Sequence, residues 1–220
     1  MTLADKQRTT RLLLRSGATI NEINVVRNHL SAVKGGGLAA STKARIATLI
    51  LSDVIGDDLG SIGSGPTAAD PSTFADAAAV LRRYGIWHAS PPAVRHYLQR
   101  GLKGVAPETL KPGSRRLRTM HYQIIGNNRM MLNAVVRAAK TARLRAKLLR
   151  APIVGEARSA AKQLSCFAKE WAIKRPCCVV AGGETTVTVT GRGKGGRAQE
   201  FAASAALEIA GFPNTWIMAL

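Results

Sequence analysis

At 220 residues, 46% of them hydrophobic, the chain can bury one large core or two small ones, which excludes general disorder. Its formal net charge of +19, from 32 Lys and Arg against 13 Asp and Glu, favours anionic partners without specifying one. Aromatic residues make up only 5% and no helix-turn-helix, RNP or zinc-finger spacing occurs, so a solvated basic surface accounts for the charge better than nucleic-acid binding.

Apolar runs fall far short of a membrane span, and residues 1–20 hold no apolar signal-peptide core, so the cytoplasm is the expected location. Cys166, Cys177 and Cys178 have neither a disulfide framework nor C-x-x-C spacing, and the last two sit in a predicted strand as small hydrophobes.

Residues 3–16 are predicted helical, with Leu3, Leu12, Leu13 and Leu14 on the apolar side and Gly17 as the stop. A second helix is expected to begin with Asn21 as its N-cap, with Ile23, Val26, Leu30 and Val33 forming one apolar stripe. Arg27, Ser31 and Lys34 recur at i, i+4 and i+7 and so share another face, and Gly35, Gly36 and Gly37 end the helix. A polar stripe of this kind is ordinarily solvated, but glycines beside it let backbone approach an anion closely.

Residues 45–51 read as a buried, parallel strand. Ser52 and Asp53 stand at its carboxyl end, where open α/β sheets bind ligands. Asp53, Asp57 and Asp58 carry the oxygen ligands that Mg²⁺ takes, one or two carboxylates beside substrate phosphates. For Asp57 and Asp58 the plainer role is to solvate a loop. Ser64-Gly65-Pro66-Thr67 forms a rigid, hydroxyl-bearing turn.

Helices follow at 73–84 and 91–100, closed by Gly85 and Gly101. Residues 103–118, rich in Pro, Gly, Lys and Arg, are the expected domain boundary. A short strand over 122–125 leads through Gly126-Asn127-Asn128 into a helix reaching about Ala142, and 144–148 alternates as a strand. Gly155-Glu156-Ala157 opens a helix carrying Ala160, Leu164, Phe167 and Trp171.

A strand over 177–181 stops at Gly182-Gly183, and 186–190 alternates as a half-buried strand with Val187 and Val189 on one face. The loop from Gly191 to Arg197 holds four glycines, Arg192, Lys194 and Arg197, before a helix carrying Phe201, Ala205 and Ile209. Such a loop reads as a phosphate or carboxylate cradle, or simply as a basic, glycine-rich turn. Gly191, Gly193 and Gly196 also satisfy G-x-G-x-x-G, but no strand-end acid stands about 20 residues on, where a dinucleotide site needs one. The last predicted strand is 215–220.

Residues 21–39, 51–58, 63–73, 154–158 and 182–189 resemble, in order, the motifs of the type II glycerate kinases. These are glycerate 2-kinases whose C-terminal part is called the MOFRL domain, and they are often labelled hydroxypyruvate reductases. The resemblance implies an α/β fold, part of a two-domain enzyme with mostly parallel or mixed sheets covered by helices. Residues 1–115 would be the C-terminal part of its N-terminal α/β domain and 116–220 an incomplete MOFRL domain.

The family carries a lysine-bearing α/β segment before the point matching Met1 and a Thr-Asp-Gly segment after the point matching Leu220. The chain is therefore expected to be the middle of the enzyme, truncated at both ends and inactive alone.

The activity implied is transfer of the γ-phosphoryl group of ATP, with Mg²⁺, to the 2-hydroxyl of D-glycerate. The resemblance points to Asp53 and Arg197 as active-site residues, with Lys34, Arg27 and the turn Gly182, Gly183, Glu184, Thr185, Thr186 lining the same cleft. Asp53 would act as base or Mg²⁺ ligand, and Arg197 and Lys34 as clamps on phosphate or carboxylate. Ser31, Ser52, Ser64, Gly193, Gly195 and Gly196 complete the expected substrate and phosphate contacts.

Two positions depart from the family pattern: Ala198 stands where Asn is usual, and Gly37 where Arg is usual. The expected partners are D-glycerate and a nucleotide, with a homo-oligomer left open. The alternatives are an oxidoreductase acting on hydroxypyruvate and a basic nucleic-acid-binding module.

Overall fold

The structure, a computed structural model, describes residues 1–172, 176–191 and 193–220. It falls into two compact units, Met1–Ile125 and Gly126–Leu220.

Capping boxes start three helices of the first unit. Thr2 and Asp5 open α1 (Leu3–Arg15), Thr19 and Glu22 open α2 (Ile20–His29), and Thr73 and Asp76 open α4 (Phe74–Arg83). The N-cap of α2 is thus Thr19 and not Asn21, because a reciprocal Thr/Glu pair satisfies two amides where an Asn satisfies one. Only Leu13 of the predicted apolar side of α1 is fully buried, and Leu3 and Leu14 face solvent.

A four-residue helix, α3 (Gly37–Ala40), precedes strand β1 (Ile46–Ser52). α5 (Pro92–Leu102) uses Pro91 as its N-cap and Pro92 at its first position. Gly101 lies inside α5 rather than ending it. A Cβ there would overlap the Phe74 ring, so this glycine serves close packing. Gly104, with φ +70, follows the true end of the helix. The core gathers Leu13, Val26, Phe74, Leu81, Val94 and Leu98 from α1, α2, α4 and α5.

β1 pairs with β2 (Met120–Asn127) in a two-stranded sheet. β1 is not buried on both faces: Ile50 and Ser52 are covered, while Leu49 and Leu51 are 65% and 77% exposed.

Residues 103–118 are tied to the rest of the unit by hydrogen bonds. Leu110 N–H donates to Gly35 O at 2.9 Å and Asp70 N–H to Leu110 O at 2.8 Å. Arg116 donates to the carbonyls of Ala39 (2.8 Å) and Ala44 (2.5 Å). Two of its cations, Arg116 and Lys111, are among its fastenings.

In the second unit Asn127 caps α6 (Asn128–Thr141), accepting from Met130 N–H at 2.8 Å. β3 (Arg145–Leu148) pairs in parallel with β5 (Cys177–Val180), and β4 (Ile153–Glu156) in parallel with β6 (Gly183–Thr186). β4 is a strand that periodicity missed, since Ile153-Val154-Gly155-Glu156 does not alternate and Gly155-Glu156 reads as a helix start.

α7 (Ala157–Ala172) and α8 (Arg197–Glu208) pack through Ala157, Ala160, Ala161, Phe201 and Ala205. Two predicted strands fail. The paired segment is 183–186 instead of 186–190, and among the described residues 215–220 has no ladder partner. The alternation there is still real, because Ile217 and Ala219 pack on the core while Trp216, Met218 and Leu220 face solvent. No helix among the described residues is long and apolar enough to cross a membrane.

Candidate functional site

In the first unit the side chains gather on the turn after α2. The helix stops at His29, so Ser31 and Lys34 do not continue the Arg27 face as their spacing predicts. They are brought near it by folding instead. The Ser31 hydroxyl oxygen accepts the amides of Val33 (3.2 Å) and Lys34 (3.3 Å), which shapes the turn.

Lys34 Nζ donates to Gly63 O at 3.1 Å. Asn24 Oδ1 accepts from Arg27 at 3.4 Å and from the Ser64 hydroxyl at 3.1 Å. Burial, and then the charge of Arg27, hold the Lys34 ammonium below the ordinary lysine range. Among the described residues neither cation pairs with a carboxylate. An anion bound here would offset the repulsion and compensate the desolvation of the ammonium.

Glycines hold this turn between two neighbouring segments. Gly35 N–H donates to Ser64 O at 3.0 Å and Gly36 N–H to Gly65 O at 2.7 Å, while Gly35 O accepts from Leu110. Both glycines have positive φ, and a Cβ on Gly36 would overlap the Leu110 side chain. Their requirement is packing against these segments rather than approach to a ligand.

At the carboxyl end of β1 the Ser52 hydroxyl is buried and donates to Val54 O at 3.4 Å. Asp53 is exposed and makes no hydrogen bond or ion pair among the described residues. Asp58 is engaged as a turn cap, accepting the Ser61 amide (2.9 Å) and hydroxyl (2.6 Å). Asp57 occupies a left-handed position, φ 55. Among the described residues no group of three His, Cys, Asp or Glu side chains is placed to hold a metal ion. A single open carboxylate at Asp53 suits a Mg²⁺ ion delivered with nucleotide phosphates, not a site built from protein alone.

In the second unit Arg197, the first residue of α8, donates to Glu184 Oε1 at 2.7 Å. This brings the Gly182–Thr186 turn and the Gly-rich loop together. The two partners are 56% and 49% exposed, so the pair holds little free energy and Arg197 can exchange to another anion. Thr185 is half-buried and Thr186 exposed.

The glycines of this region divide into two kinds. A Cβ on Gly182 would overlap Asn128, and one on Gly183 the Ile153 backbone, so these two are packing glycines. Among the described residues there is open space around Gly193 and Gly196, and at Gly195 only Gln199 Oε1 lies close, at 3.1 Å. Gly196 caps α8 without a side-chain acceptor, which leaves its first amides available to an anion. Arg192 lies outside the described residues. Among the described residues 187–190 have no ladder partner, although Thr188 donates to the Glu156 carboxylate, so no strand runs into the loop and the dinucleotide fingerprint lacks its context.

A family described as a domain of unknown function (DUF4147) matches residues 1–99, and the MOFRL family matches residues 177–220. The glycerate 2-kinase of Pyrococcus horikoshii is 43% identical over 95% of this chain and 48% of its own length. The D-glycerate 2-kinase of Thermotoga maritima is 39% identical, over 96% of this chain and 49% of its own. A crystal structure of the Thermotoga maritima glycerate kinase superposes with a TM-score of 0.80 at 37% identity, covering 97% of this chain and 50% of that one.

Over at least 95% of its length the chain is similar to glycerate 2-kinases. It spans about half the length of the curated relatives it matches. Both departures from the glycerate kinase pattern can now be located. Gly37 opens α3, and a Cβ there would overlap the Ala32 carbonyl. Ala198 is half-buried in the first turn of α8.

Sequence reasoning missed Asn24, which joins Arg27 to Ser64, and Glu108. The Glu108 carboxylate accepts the Phe74 amide at 3.0 Å, meets His29 Nε2 at 3.1 Å and Lys111 Nζ at 2.9 Å. Burial pushes this carboxyl up, but the Phe74 amide, Lys111 and His29 outweigh it and hold it below the usual range. One signal was available: Glu108 is the sole acid in the basic stretch 103–118.

Proposed function

We propose that this chain supplies acceptor-binding and phosphate-clamping residues of a glycerate 2-kinase, the ATP-dependent enzyme that converts D-glycerate to 2-phosphoglycerate. In this assignment residues 1–115 belong to its N-terminal α/β domain and 116–220 to part of its MOFRL domain. The observation that carries it is the convergence of Lys34 and Arg27 at the Gly63-Ser64 turn without a neutralising carboxylate. A small carboxylate such as glycerate suits that position.

Lys34 and Arg27 hold the substrate carboxylate, and Ser64 offers its hydroxyl beside them. Asp53 either takes the proton of the 2-hydroxyl or ligates Mg²⁺. Arg197 leaves Glu184 to neutralise phosphate charge, and the open glycines 193, 195 and 196 let amide groups approach the same anion. Bound ATP with Mg²⁺ supplies the γ-phosphoryl group. In such transfers the protein's own contribution is positioning and charge neutralisation.

The test is to graft these 220 residues in place of the matching half of the Thermotoga maritima enzyme and to assay 2-phosphoglycerate formation. Activity that needs ATP and D-glycerate, and is lost in Lys34→Ala, is the expected result. Oxidation of NADH by hydroxypyruvate without ATP use would replace the kinase with a reductase. Calorimetry of D-glycerate binding to the chain itself, with and without Lys34→Ala, covers the case of an ill-folded graft.

A further inference from the structure

We infer that the hollow where α6 meets β3 is a second anion site, one that takes the phosphoryl groups of a small phosphorylated molecule. The hollow is an open groove of about 370 Å³ lined by Lys140, Arg143, Leu144, Arg145 and Pro176. That volume falls in the range of small-molecule sites. Three cations line it and, among the described residues, no carboxylate does. Among the described residues none of the three forms an ion pair.

Cations at a helix C-terminus are favoured by the macrodipole, and this alone accounts for Lys140 in the last turn of α6. It does not account for the other two. Arg143 N–H donates to Lys140 O and Leu144 N–H to Ala139 O, both at 2.9 Å, which is the bond pattern that ends a helix on a left-handed residue. Glycine fits that position without strain, yet an arginine occupies it at φ +60. The strain is tolerated where the side chain is wanted.

Arg145 lies on a strand, beyond the helix. Its guanidinium stacks 4.2 Å over the Trp171 ring and donates to Trp171 O at 2.8 Å, so it is oriented before any ligand arrives. A pre-oriented planar cation beside two mobile ones is an arrangement that matches phosphoryl oxygens.

Inorganic pyrophosphate is the probe, titrated calorimetrically into the 220-residue chain at about 0.15 M salt, where loose surface attraction is screened. The same titration on a Lys34→Gln/Arg197→Gln variant separates this hollow from the proposed kinase residues. Saturable binding that survives in that variant is expected, and it would stand even if the kinase assignment failed.

Arg143→Gly relieves backbone strain, so its melting temperature should equal or exceed the parent's while pyrophosphate binds about tenfold more weakly. Arg145→Gln should weaken binding similarly. Absence of saturable binding, or equal affinity in Arg143→Gly, overturns the site. Preference for a single-stranded oligonucleotide, with a log–log salt slope of several units, also overturns it by making the patch a nucleic-acid surface.

Discussion

Glu22 shows how much one side chain is asked to do. It is the acidic half of the α2 capping box and also receives the Tyr84 hydroxyl and the Arg83 guanidinium, each at 2.7 Å. The Tyr84 hydroxyl first, then the Thr19 amide and hydroxyl, lower its pKa from an ordinary 4.5 to about 2. A carboxylate depressed in the folded state contributes stability above its unfolded pKa, and that contribution is lost as pH falls from 4.5 through about 2. Tyr84→Phe should therefore shift acid unfolding, followed by tryptophan fluorescence, to higher pH. An unshifted midpoint would remove Tyr84 from the account.

Lys34 carries the opposite kind of information. Because Arg27 disfavours its charged form, Arg27→Ala should raise the Lys34 pKa, as should a bound carboxylate, and NMR titration of the ε-ammonium reads both. For Arg197, substitution by alanine in an active graft should lower turnover by at least ~10²-fold, the scale of one positioned charge stabiliser. Its helix should survive, because alanine is a good helix former. Near-normal turnover would exclude Arg197 from the mechanism.

Among the elements, α5 and the β4–β6 pair show where a glycine means packing. Gly101 lies under the Phe74 ring, so Gly101→Ala forces a methyl group into a filled contact. The helix gains propensity and the core loses fit. The second effect should win, with a net loss of about 1–3 kcal/mol measured by thermal or urea unfolding. A stabilised variant would show that the ring gives way freely. Read in the sequence, the same glycine looked like a helix stop, because a local signal does not say which residues oppose it.

Helix starts were partly legible for the same reason in reverse, although the cap expected at Asn21 is Thr19. Thr73 with Asp76 is a purely local arrangement, and Asn127 caps its own helix. The segment 103–118 hides Glu108 in its basic composition, and the partners of that acid lie on α2 and α4.

At the scale of the molecule, two separate cores account for the two units. One is built from four helices and the other from α7, α8 and the strands beside them. Phosphoryl transfer needs nucleotide, metal and acceptor held in line, and orientation alone can supply ~7–11 kcal/mol of the barrier. The chain spans about half of the relatives it matches. These 220 residues by themselves are expected to release no measurable ADP in the presence of D-glycerate and ATP, as followed by a coupled assay. Turnover by the chain alone would show that it holds a complete site.

The order of elements, most helix boundaries and the family motifs were determined by the sequence itself, because caps, periodicity and turn residues act over a few neighbouring positions. Tertiary structure alone decided which motifs meet: Lys34 with Gly63, Ser64 with Asn24, and Arg197 with Glu184. It also decided that Gly182 and Gly183 serve packing while Gly193 and Gly196 stay open. These outcomes depend on contacts between residues far apart in the chain, and no local pattern encodes which distant surface a glycine or a charge will face.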